Sequence, residues 1–200
     1  DNDLIDGTGD IYHVSGAAWR RDHGMKSSKV NRRAGEIFSP CAAASLISRE
    51  VFLEAGGFDE HFYCYNEDVD LSFRLRLIGH QCIYVPVAVV EHVGSGTTSR
   101  YSDFAVYHGQ RNLVWSYFRN MPGRWFWFYL PQHILFGLIA LIWFSLKGKA
   151  VPVFKARWDA LKGLPRVLKL RKETQNSKTV AGEKVVNAMS RGFWVPYTQK

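Results

Sequence analysis

Cysteine is scarce in this chain of 200 residues: Cys41, Cys64 and Cys82 make an odd count with no metal-ligand spacing. That excludes a disulfide framework and points to a reducing compartment. No signal peptide, repeat or low-complexity tract is visible. Acidic residues nearly vanish from the last quarter, and charge of either sign is missing from Trp125 to Leu146. Disorder is excluded by what remains, since 46% of the residues are hydrophobic and 14% aromatic. The length suffices for one domain with a real core, or a domain plus an appendage. The opening Asp1-Asn2-Asp3-Leu4-Ile5-Asp6-Gly7 is abrupt and reads as the rear part of a longer protein.

The net charge of +8 is unevenly placed. Residues 1–146 hold 13 Lys/Arg against 15 Asp/Glu, whereas residues 147–200 hold 13 against 3. A tail with an excess of ten positive charges faces an anionic surface. It directly follows the uncharged 22-residue run, which is long enough to span a bilayer and carries Trp125, Trp127, Tyr129 and Trp143 toward its ends. Spanning, lying in the interface and packing as a core helix are the three readings of that run, with Pro131, Gln132 and His133 against the first. Basic residues after an apolar span favour anionic lipid on a cytoplasmic side over nucleic acid.

Turn and cap signals divide the front. Residues 4–14 read as strand and turn, and residues 19–35 as a polar loop. Phe38 to Ile47 is small and apolar, which suits close approach of a ligand or tight packing equally. Ser48 caps a short helix over 49–55, ended by Gly56. Asn66 caps a second helix running to Gly79. Cys82–Val85 and Val87–Val90 read as strands around Pro86, and residues 103–120 as a helix ended by Met121-Pro122-Gly123. Leu161, Leu164 and Leu168 give the tail a helical period broken at Pro165.

Residues 56–71 are the most informative stretch. Asp59, Glu60, Glu67, Asp68 and Asp70 fall within twelve positions, among Phe58, Phe62, Tyr63 and Tyr65. Acids beside apolar surface suggest a walled site that handles a proton or a cation. Unpaired N–H groups at a helix start favour ionised carboxylates, while mutual repulsion opposes them. Acids that merely complement the helix dipole are the ordinary alternative. His92, at a strand end beside Gly94-Ser95-Gly96-Thr97, can reach a metal or serve as a structural residue. The Gly-rich run can bind phosphate through its amides but lacks a phosphate-loop lysine. Arg111 and Asn112 can face an anionic group.

The ordered set Gly56-Gly57-Phe58-Asp59-Glu60, Tyr65-Asn66-Glu67-Asp68-Val69-Asp70-Leu71, Arg74-Leu75-Arg76, Gly79, Tyr84-Val85-Pro86 and His92 resembles family 2 glycosyltransferases, especially the rhamnosyltransferase-like branch. Asp6-Gly7-Thr8-Gly9-Asp10 and Tyr107-His108-Gly109-Gln110-Arg111-Asn112 resemble it too. The resemblance covers roughly residues 4–125. It implies an α/β fold, here a partial GT-A nucleotide-diphospho-sugar transferase fold over 1–121, followed by a hydrophobic membrane-associated helix over 122–147 and a basic amphipathic tail over 148–200. It implies inverting transfer of a sugar from a nucleotide-diphosphate donor to a glycan or lipid-linked acceptor hydroxyl, for cell-surface polysaccharide, at the cytoplasmic membrane. Asp68 matches the catalytic base. Glu67 and Asp70 match residues that shape the acceptor site, with Arg111 as a further substrate-binding residue. His92 matches a ligand of the divalent cation, Mg²⁺ or Mn²⁺, which assists the departing diphosphate. Relatives carry an N-terminal nucleotide-binding half ending in an Asp-x-Asp motif. Asp1-Asn2-Asp3 has that spelling but lies too close to Asp6-Gly7-Thr8-Gly9. A non-catalytic, membrane-associated binding module built on the same fold is the alternative.

Overall fold

The structure, a computed structural model, describes residues 3–91 and 101–198. Two short antiparallel ribbons open the chain. In the first, β1 (Asp10–Tyr12) pairs with β2 (Ala18–Arg20) with Ile11 opposite Trp19. The reversal is tight: the Gly16 amide donates to His13 O and the His13 amide to Ala17 O. In the second ribbon β3 (Gly35–Ile37) pairs with β4 (Cys82–Tyr84), with Gly35 opposite Tyr84. A single bridge between Asp10 and Ser39 joins the two ribbons. It brings the end of β1 against the small-residue stretch.

Helix α1 (Arg49–Glu54) begins where Ser48 accepts a hydrogen bond from the Val51 amide, as the sequence predicts. Helix α2 (Glu67–Leu77) is the axis of the molecule, buried from Val69 through Leu77. Its two buried arginines bind backbone carbonyls on opposite sides, and Arg76 also pairs with the Glu36 carboxylate. Arg74 reaches Ala55 and Gly57, and Arg76 reaches Ile37, Phe38 and Glu36. Carbonyls of irregular backbone need such donors when water is excluded. The Arg74-Leu75-Arg76 spelling is thereby explained.

Helix α3 (Asp103–Asn120) is capped by Ser102 and ends at Met121, on the predicted boundaries. Helices α4 (Gly123–Leu146) and α5 (Ala150–Asn176) run through Pro131 and Pro165 without a break. The predicted interruption at Pro165 is therefore corrected. Long packing of α5 on α3 offsets the one lost hydrogen bond. Trp115 of α3 donates through Nε1 to Ala160 O at 3.0 Å, and a side chain at Gly163 would meet the Trp115 ring at 2.6 Å. Helices α6 (Gly182–Asn187) and α7 (Val195–Thr198) follow. The main core joins Tyr12, Phe38, Phe73, Leu77, Tyr117 and Met121 with Val185 and Val186 from α6, so the end of the chain closes over its beginning. A second cluster ties Phe62, Val114 and Trp115 to Ala160 and Val167 of α5.

Two readings differ from the structure. Residues 87–90 form no strand, because no second strand lies alongside among the described residues; Val87 and Val89 are exposed after a turn closed by the Ala88 amide on Val85 O. The polar loop over 19–35 instead contributes β2 and the first residue of β3, with a single helical turn at Ser27–Lys29. Helix α4 is long and apolar enough to cross a membrane by length and composition.

Candidate active site

The loop that leads into α2 is held in unusual backbone. Tyr63, Tyr65 and Asn66 all have φ between 63° and 67°, a region that non-glycine residues seldom occupy. Such conformations persist only when the surroundings over-determine them. Here the restraint comes from α3. The Asn112 side chain donates through Nδ2 to Phe62 O, Cys64 O and Tyr65 O at 2.8–2.9 Å, and Arg111 Nη2 donates to His61 O and Phe62 O at 2.9 and 3.1 Å. Arg111 is buried, with its guanidinium 4.3 Å from the Trp115 ring centre. Arg111 and Asn112 thus grip the loop from beneath; an anionic partner is not what either touches.

Asn66 stands at the position predicted for the cap, but its left-handed backbone turns the side chain away, and it makes no capping bond. Asp68 serves the helix start instead. Its Oδ1 accepts from the Val69 amide at 2.8 Å and its Oδ2 from the Ala42 amide at 3.1 Å. The carboxylate therefore fastens the exposed turn at 42–44 to the head of α2. Glu67 is half-buried beside it, and its Oε2 has no hydrogen-bond partner among the described residues. Burial, then the Asp68 charge, push the Glu67 carboxyl above its ordinary range.

Asp10 is the member of this group that the sequence did not single out. The Asp10–Ser39 bridge, with the Asp10 amide 2.6 Å from Ser39 O, sets it near Asp68. Burial, with the Asp68 charge next, pushes Asp10 up to about 7, against the lowering effect of Arg20. Arg20 in turn holds Asp6 at 2.5 Å and points Nη2 at Cys41 Sγ, 3.3 Å away. Two carboxyl groups, Asp10 and Asp68, thus border one exposed stretch of small residues. The signal was present in the string Asp6-Gly7-Thr8-Gly9-Asp10, but no periodicity connects positions so far apart.

Asp70 does something else. It is fully buried, and its oxygens take Arg74 Nε at 2.9 Å, Arg119 Nη1 at 3.2 Å and Asn120 Nδ2 at 2.7 Å. Arg119 and Arg166 also hold Asp59, at 3.3 and 2.8 Å. Burial raises Asp59, yet the Arg166 bond, the His61 amide and the two guanidinium charges outweigh it and keep this carboxyl below its usual range. Asp70 and Arg111, which the sequence matches to substrate binding, have their polar atoms engaged by the frame of the site. An aromatic group flanks the site, with the Tyr63 and Phe104 rings 5.4 and 4.4 Å from that of His108. His92 and the Gly94-Ser95-Gly96-Thr97 run lie outside the described residues.

Comparison with known proteins adds the following. The sequence profile of the glycosyltransferase-like family 2 matches residues 15–117, just over half of the chain. The N-acetylglucosaminyl-diphospho-decaprenol L-rhamnosyltransferase of two Mycobacterium tuberculosis strains is 34% identical over 98 residues, 46% of this chain and 31% of that protein. A putative polypeptide N-acetylgalactosaminyltransferase 10 of Drosophila melanogaster is 39% identical over 54 residues, 26% of this chain and 9% of that protein. The chain spans about a third of the length of the mycobacterial relatives it matches. No solved structure matches.

Proposed function

Because the chain belongs to the glycosyltransferase-like family 2, we propose that these residues carry the acceptor side of a sugar transfer from a nucleotide-diphosphate sugar to a hydroxyl of a lipid-linked glycan at the cytoplasmic membrane. Asp68 is the base. The acceptor oxygen bonds to the anomeric carbon as the bond to the diphosphate breaks, with inversion, and Asp68 takes the acceptor's proton. The observation that carries this reading is the Asp68 carboxylate, fixed by two backbone amides at the head of α2 beside the partnerless Oε2 of Glu67. Fixed geometry of this kind is what a general base requires. Glu67 offers its free oxygen to an acceptor hydroxyl. Asp70 and Arg111 act through the frame they hold.

A divalent cation, Mg²⁺ or Mn²⁺, supplies positive charge to the departing diphosphate when bound. Among the described residues no three His, Cys, Asp or Glu side chains converge on a cation position. These residues alone therefore do not fit the ion, and its proposed ligand, His92, is not among them. The test is transfer by the full-length protein with Asp68→Asn. Turnover should fall by roughly 10²–10⁴-fold, the usual worth of a general base, with nucleotide-sugar binding retained. Turnover within a few-fold of the parent would overturn the assignment. Sugar transfer by any form of the protein would also exclude the purely binding module.

A further inference from the structure

Helix α4 shows two unlike faces. Phe126, His133 and Ala140, seven residues apart, are buried. Trp127, Phe128, Ile134, Leu138, Ile142 and Leu146 recur every one to six positions on the opposite side and are 52–82% exposed. No charged residue interrupts that outward stripe from Trp127 to Leu146. So large an exposed apolar surface marks a contact with a partner or a membrane.

The inward face is fastened along its whole length. Phe126 enters the core, and the His133 ring stacks on Tyr117 at 4.0 Å while its Nδ1 lies 2.8 Å from Ser15 O. Gly137 O accepts from Arg157 at 3.4 Å, and the Trp143 ring lies 5.9 Å from that of Tyr101. These contacts hold α4, about 36 Å long at 1.5 Å per residue, against α3, α5 and the β1–β2 turn. A perpendicular span would carry Gln110, Arg111, Asn112 and Arg157 into the hydrocarbon as well, where charged and polar groups are costly.

Helix α5 adds the charge. Phe154, Trp158, Leu161 and Leu168 are exposed, and Lys155, Lys162 and Lys169, each seven residues from the next, follow them along the same helix. The Lys162 ammonium lies 5.3 Å from the Trp158 ring centre. Apolar and aromatic residues bordered by lysine are the signature of a helix that lies in a bilayer interface, and the lysines match anionic headgroups.

We infer that the outward faces of α4 and α5 form one platform that lies flat on an anionic bilayer, with α4 in the plane of the interface and not across it. The inference deepens the lipid-linked acceptor of the proposed function but needs no sugar chemistry, so the vesicle tests contain neither donor nor acceptor and a separate transfer assay tells the two failures apart. The protein should float with phosphatidylglycerol-containing vesicles and far less with phosphatidylcholine alone. Binding should drop roughly tenfold in high salt, where headgroup attraction is screened. A nitroxide on Leu138→Cys should report headgroup depth. Leu138→Glu with Ile142→Glu, both on the outward face, should abolish flotation while circular dichroism is unchanged. Lys155, Lys162 and Lys169 changed together to Gln should remove the preference for anionic lipid. A label at the bilayer centre would establish a spanning helix and overturn the inference. So would absence of vesicle binding, or a lipid-free dimer that the Glu variants dissolve. Loss of transfer activity with intact flotation would count against the sugar chemistry alone.

Discussion

Asp10→Asn gives the sharpest test of the site's electrostatics. In the folded chain Asp10 keeps its proton to about 7, against 3.8 for a free side chain, because it is buried and faces the Asp68 charge. Between those values the native state holds a proton that the unfolded chain releases. The stability contributed by this group is therefore complete below pH 4 and is lost as pH rises through 7. Three units at roughly 1.4 kcal/mol each set an upper bound of about 4 kcal/mol; partial exposure of the side chain reduces it to about 2–3 kcal/mol. Asparagine cannot ionise, and the Asp10 amide bond to Ser39 O is unaffected. Denaturant unfolding at pH 4.5, 6 and 7.5 should show the variant gaining on the parent as pH rises. In Asp68→Asn, with one of the charges that raise Asp10 removed, the same pH-dependent loss should begin at the same pH, end lower and be smaller. A constant offset between Asp10→Asn and the parent at all three values would refute the burial and pairing of Asp10.

Three further outcomes follow from other parts of the structure. Asn112→Ala strips Cys64 O and Tyr65 O of their side-chain donor and leaves Phe62 O with Arg111 alone; it should cost about 3 kcal/mol in chemical unfolding, with transfer activity falling further than stability because the loop before Asp68 relaxes. Burial holds the His133 imidazole down to about 4, so the stability it contributes is present above pH 6.5 and fades as pH falls to 4; His133→Gln should flatten that limb of the stability profile. Gly16→Ala places a methyl 2.7 Å from His133 Nδ1 at a φ of +84°, and a fall in melting temperature of several degrees should result.

The helices whose limits were legible in the sequence are those with local start and stop signals. Ser48 caps α1 as read, and α3 runs over the predicted residues, ended by Met121-Pro122-Gly123. Asn66 marks the start of α2 correctly, but its cap is supplied by Asp68, a residue inside the helix, because the loop before it is bent by tertiary contacts. Pro165 misled for the same kind of reason: long-range packing on α3 outweighs a local penalty. At 87–90 a β-branched run looked like a strand, yet strands exist only as pairs, and pairing is invisible to composition. The acidic group at 67–70 stood out because its members are adjacent. Division of labour within it did not, since Asp68 faces an exposed turn and Asp70 faces three buried donors only through the rotation of α2. Asp10 and Arg20 joined the site by chain reversal, which leaves no mark on spacing.

Asp59 sits between Arg119 and Arg166, and Arg166 belongs to the tail helix. Anyone seeking a better-behaved protein by deleting everything after the apolar helix would meet the opposite result. The cut would leave Asp59 with one of its two counterions and bare the Trp115 ring with Val114 and Phe62, which Ala160 and Val167 now cover. It would also remove Val185 and Val186, the lid of the main core. Sticky, slow-folding material is the expected product, and solubility is better sought by replacing single outward residues of α4.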